Sequence, residues 1–231
     1  MTPPGKLSRL HLIVAGAMVL AGAMVVAGGL CAIGVFIVRE RAAAQRAAAI
    51  GRLAQLALAL SNYEFAHGTL PPLYVRDDAG TPIQSWRSLL LSELEWPDGF
   101  ERPDLSEPWN SAKNRRIYQA APQGQWCYFS RGNPPSRPPS ACLLALLSPN
   151  SIWNPETGIP KGTLDQNPGA ILLVSVPESN IDPLEPRDVT EEEVRALIEN
   201  GAAAYFITAD RTYGDVRIKN GSLTFSPDVT R

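Results

Sequence analysis

The stretch LIVAGAMVLAGAMVVAGGLCAIGVFIV, Leu12 to Val38, holds no charged residue over about 27 positions and follows a short leader whose cations are Lys6 and Arg9. A helix rises ~1.5 Å per residue, so such a run exceeds the ~30 Å hydrocarbon core of a bilayer. The expectation is a basic leader over residues 1–11 and a retained transmembrane helix over residues 12–38, with the lipid bilayer as partner. A cleavable secretory signal competes with this reading, but its apolar region would normally be only ~7–15 residues. The run is small-sided, because Ala15-Gly16-Ala17, Ala21-Gly22-Ala23 and Ala27-Gly28-Gly29 recur along it. At helical spacing Gly16, Ala23 and Ala27 share one face, and Ala17, Ala21 and Gly28 share a neighbouring one. Small residues allow close approach of transmembrane helices, which makes these six positions a candidate packing surface, although Ala and Gly are also simply tolerated in lipid.

Past Val38 the helical pattern continues. Arg39 to about Ala66 contains no Pro and a single Gly51, and it carries two Ala triplets, Ala42–Ala44 and Ala47–Ala49. Alanine is the strongest helix former. Ile50, Leu53, Ala57 and Leu60, with Leu56 and Tyr63 beside them, recur in steps of three and four and draw an apolar stripe. Residues 12–38 and the soluble continuation 39–66 therefore read as one helix of about 55 residues, roughly 80 Å long by its rise. His67-Gly68 supplies a stop, and Pro71-Pro72 prevents resumption.

The remainder, residues 67–231, reads as an α+β domain of short strands and helices. Leu73-Tyr74-Val75 is a strand candidate before a turn through Asp77-Asp78-Ala79-Gly80. Ser85 to Glu95 reads as a short helix capped by Ser85, and Pro97 to Asn114 as irregular. Ala170 to Val176 is expected as a central strand, and Thr190 to Glu199 as a helix capped by Asp188 or Thr190. Ala203 to Thr208 and Val216 to Phe225 close the chain as strands, the second a hairpin turning at Lys219-Asn220-Gly221-Ser222.

Net charge is −2, and no dense basic patch occurs, so nucleic acid is not an expected partner. Two histidines and three cysteines leave little material for a metal site, and no cofactor is expected. Cys127 and Cys142 flank a Pro-rich loop near residues 131–140. A disulfide between them would suit an oxidising compartment and contribute ~3 kcal/mol, and two reduced cysteines are the alternative. Arg39, Arg41, Arg46 and Arg52 outnumber the leader's cations, and counting alone puts the carboxyl side in the cytoplasm.

Catalytic constellations are absent from the pattern. His67, the sole histidine past the apolar run, sits at a helix end with no partner nucleophile in view. Asp77-Asp78 read as a solvated turn. Asp210 and Asp215 fall short of the six to eight oxygens calcium takes, and Glu191-Glu192-Glu193 suit a helix start. Trp86 and Trp109 are expected in the core, Trp126 and Trp153 at the surface.

Several ordered motifs carry a family resemblance. Leu56-Ala57-Leu58-Ala59-Leu60-Ser61-Asn62-Tyr63, His67-Gly68-Thr69-Leu70-Pro71-Pro72, Ser85-Trp86-Arg87-Ser88-Leu89-Leu90-Leu91 and Glu107-Pro108-Trp109-Asn110 with Asn114 occur in that order. Together with Ile171-Leu172-Leu173-Val174 and Glu185-Pro186-Arg187-Asp188-Val189 they resemble the bacterial pilin-like proteins of domain of unknown function family 1559. The helix, the Tyr and the Gly-x-x-Pro step are more distantly similar to the major pseudopilin of type II secretion. The resemblance implies a pilin-like fold, a long helix half in the membrane and half packed on a small antiparallel sheet outside the cytoplasm. Departures are local. Pilin precursors are cut after a leader Gly and carry Glu at the fifth position beyond it, whereas Gly5 is followed by Lys6 and no Glu precedes Glu40. The family's terminal Ala-Asp-Gly-Ser segment stands here as Ala209-Asp210-Arg211-Thr212.

The function this implies is a non-enzymatic, single-pass envelope protein of the cytoplasmic membrane. Its domain is extracytoplasmic, and it associates through its helix with itself or with other pilin-like subunits in a secretion or pilus-like assembly. The alternative is a membrane-tethered module that recognises a polysaccharide or a protein.

Overall fold

The structure, a computed structural model, describes residues 9–94, 101–120, 141–148, 152–153, 159–177 and 179–228. Helix α1 runs unbroken from Arg9–His67, 59 residues, and so joins the apolar run to the amphipathic stripe as the sequence predicts. It ends where Gly68 takes φ +74° and donates its N–H to the Glu64 carbonyl, a left-handed stop that glycine adopts without steric cost. The chain divides into two compact units, Met1–Ala47 and Ala48–Arg231.

In the second unit, Tyr74–Arg76 (β1) and Pro82–Ser85 (β2) pair as a hairpin, followed by Trp86–Leu89 (α2) and a 3-10 turn over Leu90–Ser92. Next come Ala112–Ala120 (α3), Leu143–Leu144 (β3), Leu146–Leu147 (β4) and Thr163–Gln166 (α4). The chain continues through Ile171–Ser175 (β5), Val189–Thr190 (β6) and Glu191–Glu199 (α5). It finishes with Ala204–Thr208 (β7), Tyr213–Lys219 (β8) and Ser222–Pro227 (β9). An antiparallel sheet of order β3-β5-β7-β8-β9 forms the centre, and β4 and β6 make a short parallel pair.

Strand alternation distributes the side chains of this sheet to two faces. Leu143, Leu173 and Ile207 join Leu53, Leu56, Ala57, Ala59 and Leu60 of α1 in one core cluster, with Trp86 and Trp153. Leu144, Val174, Ala204, Phe206 and Val216 face the other way, against Val194, Leu197 and Ile198 of α5. The order is thus helix, sheet, helix. Pairing of β5 with β7 shifts register between Ile171 and Leu173, so Leu172 and Leu173 both reach the α1 side. At the last hairpin Asn220 and Gly221 both take positive φ, +53° and +76°, as the Asn-Gly signal anticipates.

Some expectations need correction. Trp153 is buried, its indole N–H donating to the Leu172 carbonyl at 2.6 Å. The Ser85–Glu95 helix is a single α turn running into a 3-10 turn, and Ser85 has cap-like extended dihedrals without a side-chain capping bond. The irregular span gives way to α3 at Ala112. At α5 it is Thr190 that caps, in a reciprocal capping box with Glu193, while Asp188 points into the core. Trp86 is fully buried, and Trp109 packs at the edge of the core under the Arg115 guanidinium, 4.8 Å from its ring centroid. Trp126 lies outside the described residues.

Candidate functional site

Among the described side chains, α1 shows no polar residue between Met18 and Val38. Met18, Val19, Leu20, Met24, Val26, Leu30, Ile33, Val35, Phe36, Ile37 and Val38 are all exposed, Leu30 at 66% and Phe36 at 63%. A helix apolar on every side belongs inside a large core or a membrane, and a contiguous exposed apolar surface marks an interaction site. Of the six small-residue packing candidates, Ala27 and Gly28 are exposed, and the side-chain surroundings of Gly16, Ala17, Ala21 and Ala23 lie outside the described residues. Among the described residues no helix is long and apolar enough to cross a membrane. The described side chains begin partway along the Leu12–Val38 run, and toward the carboxyl end the apolar surface stops at Arg39-Glu40-Arg41.

A second constellation ties the domain together. Arg87, on α2, is completely buried and pairs with the equally buried Asp188 at 2.7 Å. Its remaining donors reach three main-chain carbonyls, Nε to Pro183 at 2.9 Å and Nη2 to Glu185 and Arg187 at 2.8 Å each. Asp188 also accepts from the Trp86 indole at 3.1 Å and from the Ala145 N–H at 2.9 Å. Burial pushes the Asp188 carboxyl above the usual carboxylate range, and the Arg87 guanidinium with the two N–H donors pulls against it. Beside it, burial first and the Asp188 charge second push the Tyr74 phenol up to about 12. Four of the five guanidinium N–H groups and the Asp188 Oδ1 are engaged by the fold itself, so the knot holds the elements in place. It joins the Ser85–Leu91 motif to the Glu185–Val189 motif across about a hundred residues, which the sequence marks as two separate signatures.

The remaining candidates resolve as local structure. His67 stacks on Tyr63, ring centroids 4.0 Å apart, with Nδ1 3.0 Å from the Tyr63 carbonyl oxygen. Asp77 Oδ1 accepts from the N–H groups of Ala79 and Thr81 and so builds its own turn. Asp210 binds the Thr208 hydroxyl and the Thr212 N–H, while Asp215 pairs with Arg217 at 2.8 Å. Arg211 holds φ +66°, a left-handed conformation for which Gly is the natural occupant, and it stands where the resembled pattern has Gly. The three glutamates open α5, where Glu193 closes the capping box and also pairs with Arg187. Among the described residues no group of three or more His, Cys, Asp or Glu could hold a metal ion. Cys142 is buried in the α1-side cluster with the Arg52 guanidinium 3.5 Å from its sulfur, and Cys127, its candidate partner, lies outside the described residues, as does the Pro-rich loop near 131–140.

No curated protein and no solved structure matches the chain. Residues 39–216, well over half of the sequence, match the profile of a family described as a protein of unknown function (DUF1559). The match opens at Arg39, where the apolar surface of α1 ends, and it spans the α1 stripe, both halves of the Arg87–Asp188 knot and most of the central sheet. By the extent of that match, the chain belongs to the DUF1559 family.

Proposed function

We propose that this chain is a non-enzymatic, single-pass envelope protein of the cytoplasmic membrane. In this reading the apolar part of α1 is the anchor, the α+β domain stands outside the cytoplasm, and α1 associates with copies of itself or with other pilin-like subunits in a secretion or pilus-like assembly. The observation that carries it is the helix, apolar on all sides from Met18 to Val38 and continuous with residues whose side chains form the domain core. Water cannot cover such a surface favourably, since burial of a large apolar side chain is worth ~1.5–3 kcal/mol. The pilin-like arrangement is supported by the packing of the second half of α1 on an antiparallel sheet.

The test has two steps. Membranes carrying the full chain are washed at alkaline pH, where an anchored protein stays with the lipid and an adsorbed one is released. Intact cells are then treated with an impermeant thiol reagent with and without reduction, reading Cys127 and Cys142. An extracytoplasmic domain is labelled in intact cells after treatment with an impermeant reductant, with the membrane unbroken. Labelling that requires breach of the membrane overturns the placement. Self-association in detergent that weakens when Gly16 or Ala23 is replaced by Leu supports assembly, and unchanged monomers favour a tethered binding module.

A further inference from the structure

We infer that Arg39 and Arg41 bind the anionic phosphate headgroups of the bilayer surface at which the apolar part of α1 ends, an inference that rests on the membrane-anchored reading and names the surface the helix meets. Val38 is the last residue of the exposed apolar run, and Arg39 follows it directly. Both arginines are exposed, and neither is paired with a carboxylate of the described residues. Glu40 is the single acid between them, so the segment carries a net positive charge.

The geometry selects a planar partner. Two residues of helix turn the side chains about 200° apart around the axis while advancing only about 3 Å along it. A partner docking from one side reaches one guanidinium and leaves the other in water. A charged layer pierced by the helix meets both. The polar layer on each side of a bilayer is roughly 5–8 Å deep, so both guanidiniums fall within it when Val38 sits at the hydrocarbon edge. Guanidinium also offers paired donors matched to phosphate oxygens. Near an anionic membrane surface one such cation is worth about a fivefold preference.

The test uses the full chain reconstituted in phosphatidylcholine vesicles containing trace spin-labelled phosphatidylglycerol or spin-labelled phosphatidylcholine. The fraction of motionally restricted label gives the relative association of each lipid with the protein. The expected result is enrichment of phosphatidylglycerol by about fivefold or more, lost at high salt and in the double variant Arg39→Gln/Arg41→Gln, and unchanged in Arg217→Gln. Equal association of the two lipids with the natural chain, or retained selectivity in the double variant, overturns the inference. Displacement of the selectivity by millimolar inorganic phosphate points instead to a free-anion site and also overturns it. Alkaline washing of the same vesicles separates the two claims. A chain that washes off removes the anchored reading and this inference with it, whereas one that stays without lipid selectivity removes the inference alone.

Discussion

Asp188 draws Trp86, Arg87 and Ala145 together in the domain's interior. A carboxylate and a guanidinium at zero exposure are expensive to desolvate, and they are tolerated because each finds several further hydrogen bonds. Removing one partner leaves the other charged and buried. Arg87→Met or Asp188→Asn is therefore expected to cost about 3–5 kcal/mol, read by chemical denaturation followed through tryptophan fluorescence. The pair Arg87→Met/Asp188→Asn should lose less than the sum of the single changes, because no orphaned charge remains. Additive losses would show that the two residues act separately. Asp104 offers a contrast at the surface. The Lys113 ammonium at 2.7 Å, with the Ser106 hydroxyl and N–H, holds its carboxyl down to about 2 from 3.8. A depressed folded pKa gives stability that is present above the unfolded value and is lost as pH falls from 3.8 toward 2. In an NMR titration Lys113→Met should move the Asp104 midpoint up toward the ordinary carboxylate value, and an unmoved midpoint would count against the ion pair.

At the scale of elements, the β8–β9 hairpin depends on a close approach at its open end. A Cβ placed on Gly214 would stand 2.0 Å from the Ser226 carbonyl oxygen, a backbone atom that cannot swing away. Gly214→Ala is expected to destabilise the domain by about 1–3 kcal/mol, the range for overpacking. Hydrogen exchange should rise first along Ser222–Pro227, and retention of wild-type protection there would refute the clash. Which elements the sequence reveals follows from where their determinants lie. Asn220-Gly221 and Thr190 with Glu193 are decided within four residues of each other, and both are legible. The α1 stripe is legible because its period from Ile50 to Tyr63 runs on without Pro and across the single Gly51. Helix α3 is not, because its inward residues are few and it is held by non-local contacts of Asn114, whose side-chain amide donates to the carbonyls of Asp104, Glu107 and Pro108 in the preceding loop, while its N–H donates to the Ser111 hydroxyl. Trp153 misleads for the same reason. Its neighbours read as a surface loop, but the register shift around Leu172 leaves that residue outside the β5–β7 pairing, and its carbonyl accepts the indole. The Arg87–Asp188 pair, 101 residues apart, is visible in sequence only as two motifs with no sign that they meet.

For the whole molecule, the decisive question is what covers the apolar surface of α1, and depth distinguishes the answers. A bilayer imposes a profile along the helix. A charge costs about 2.5–3.5 kcal/mol near the hydrocarbon centre and little at the edge, where a long side chain reaches the headgroups. A protein partner in water imposes no such profile, since the penalty then follows the face of the helix rather than its depth. Met24 lies close to the middle of Leu12–Val38, and Val38 at its end, and both side chains are exposed. Met24→Arg is therefore expected to reduce the membrane-retained fraction after alkaline washing by tenfold or more relative to Val38→Arg. Val38→Arg should behave as the natural chain, because it extends the cationic end already formed by Arg39 and Arg41. Leu30→Arg, about six residues further along, should fall between the two. Equal sensitivity at all three positions, or a dependence on helix face with no dependence on depth, would assign the surface to partner helices in water and leave the lipid out of the account.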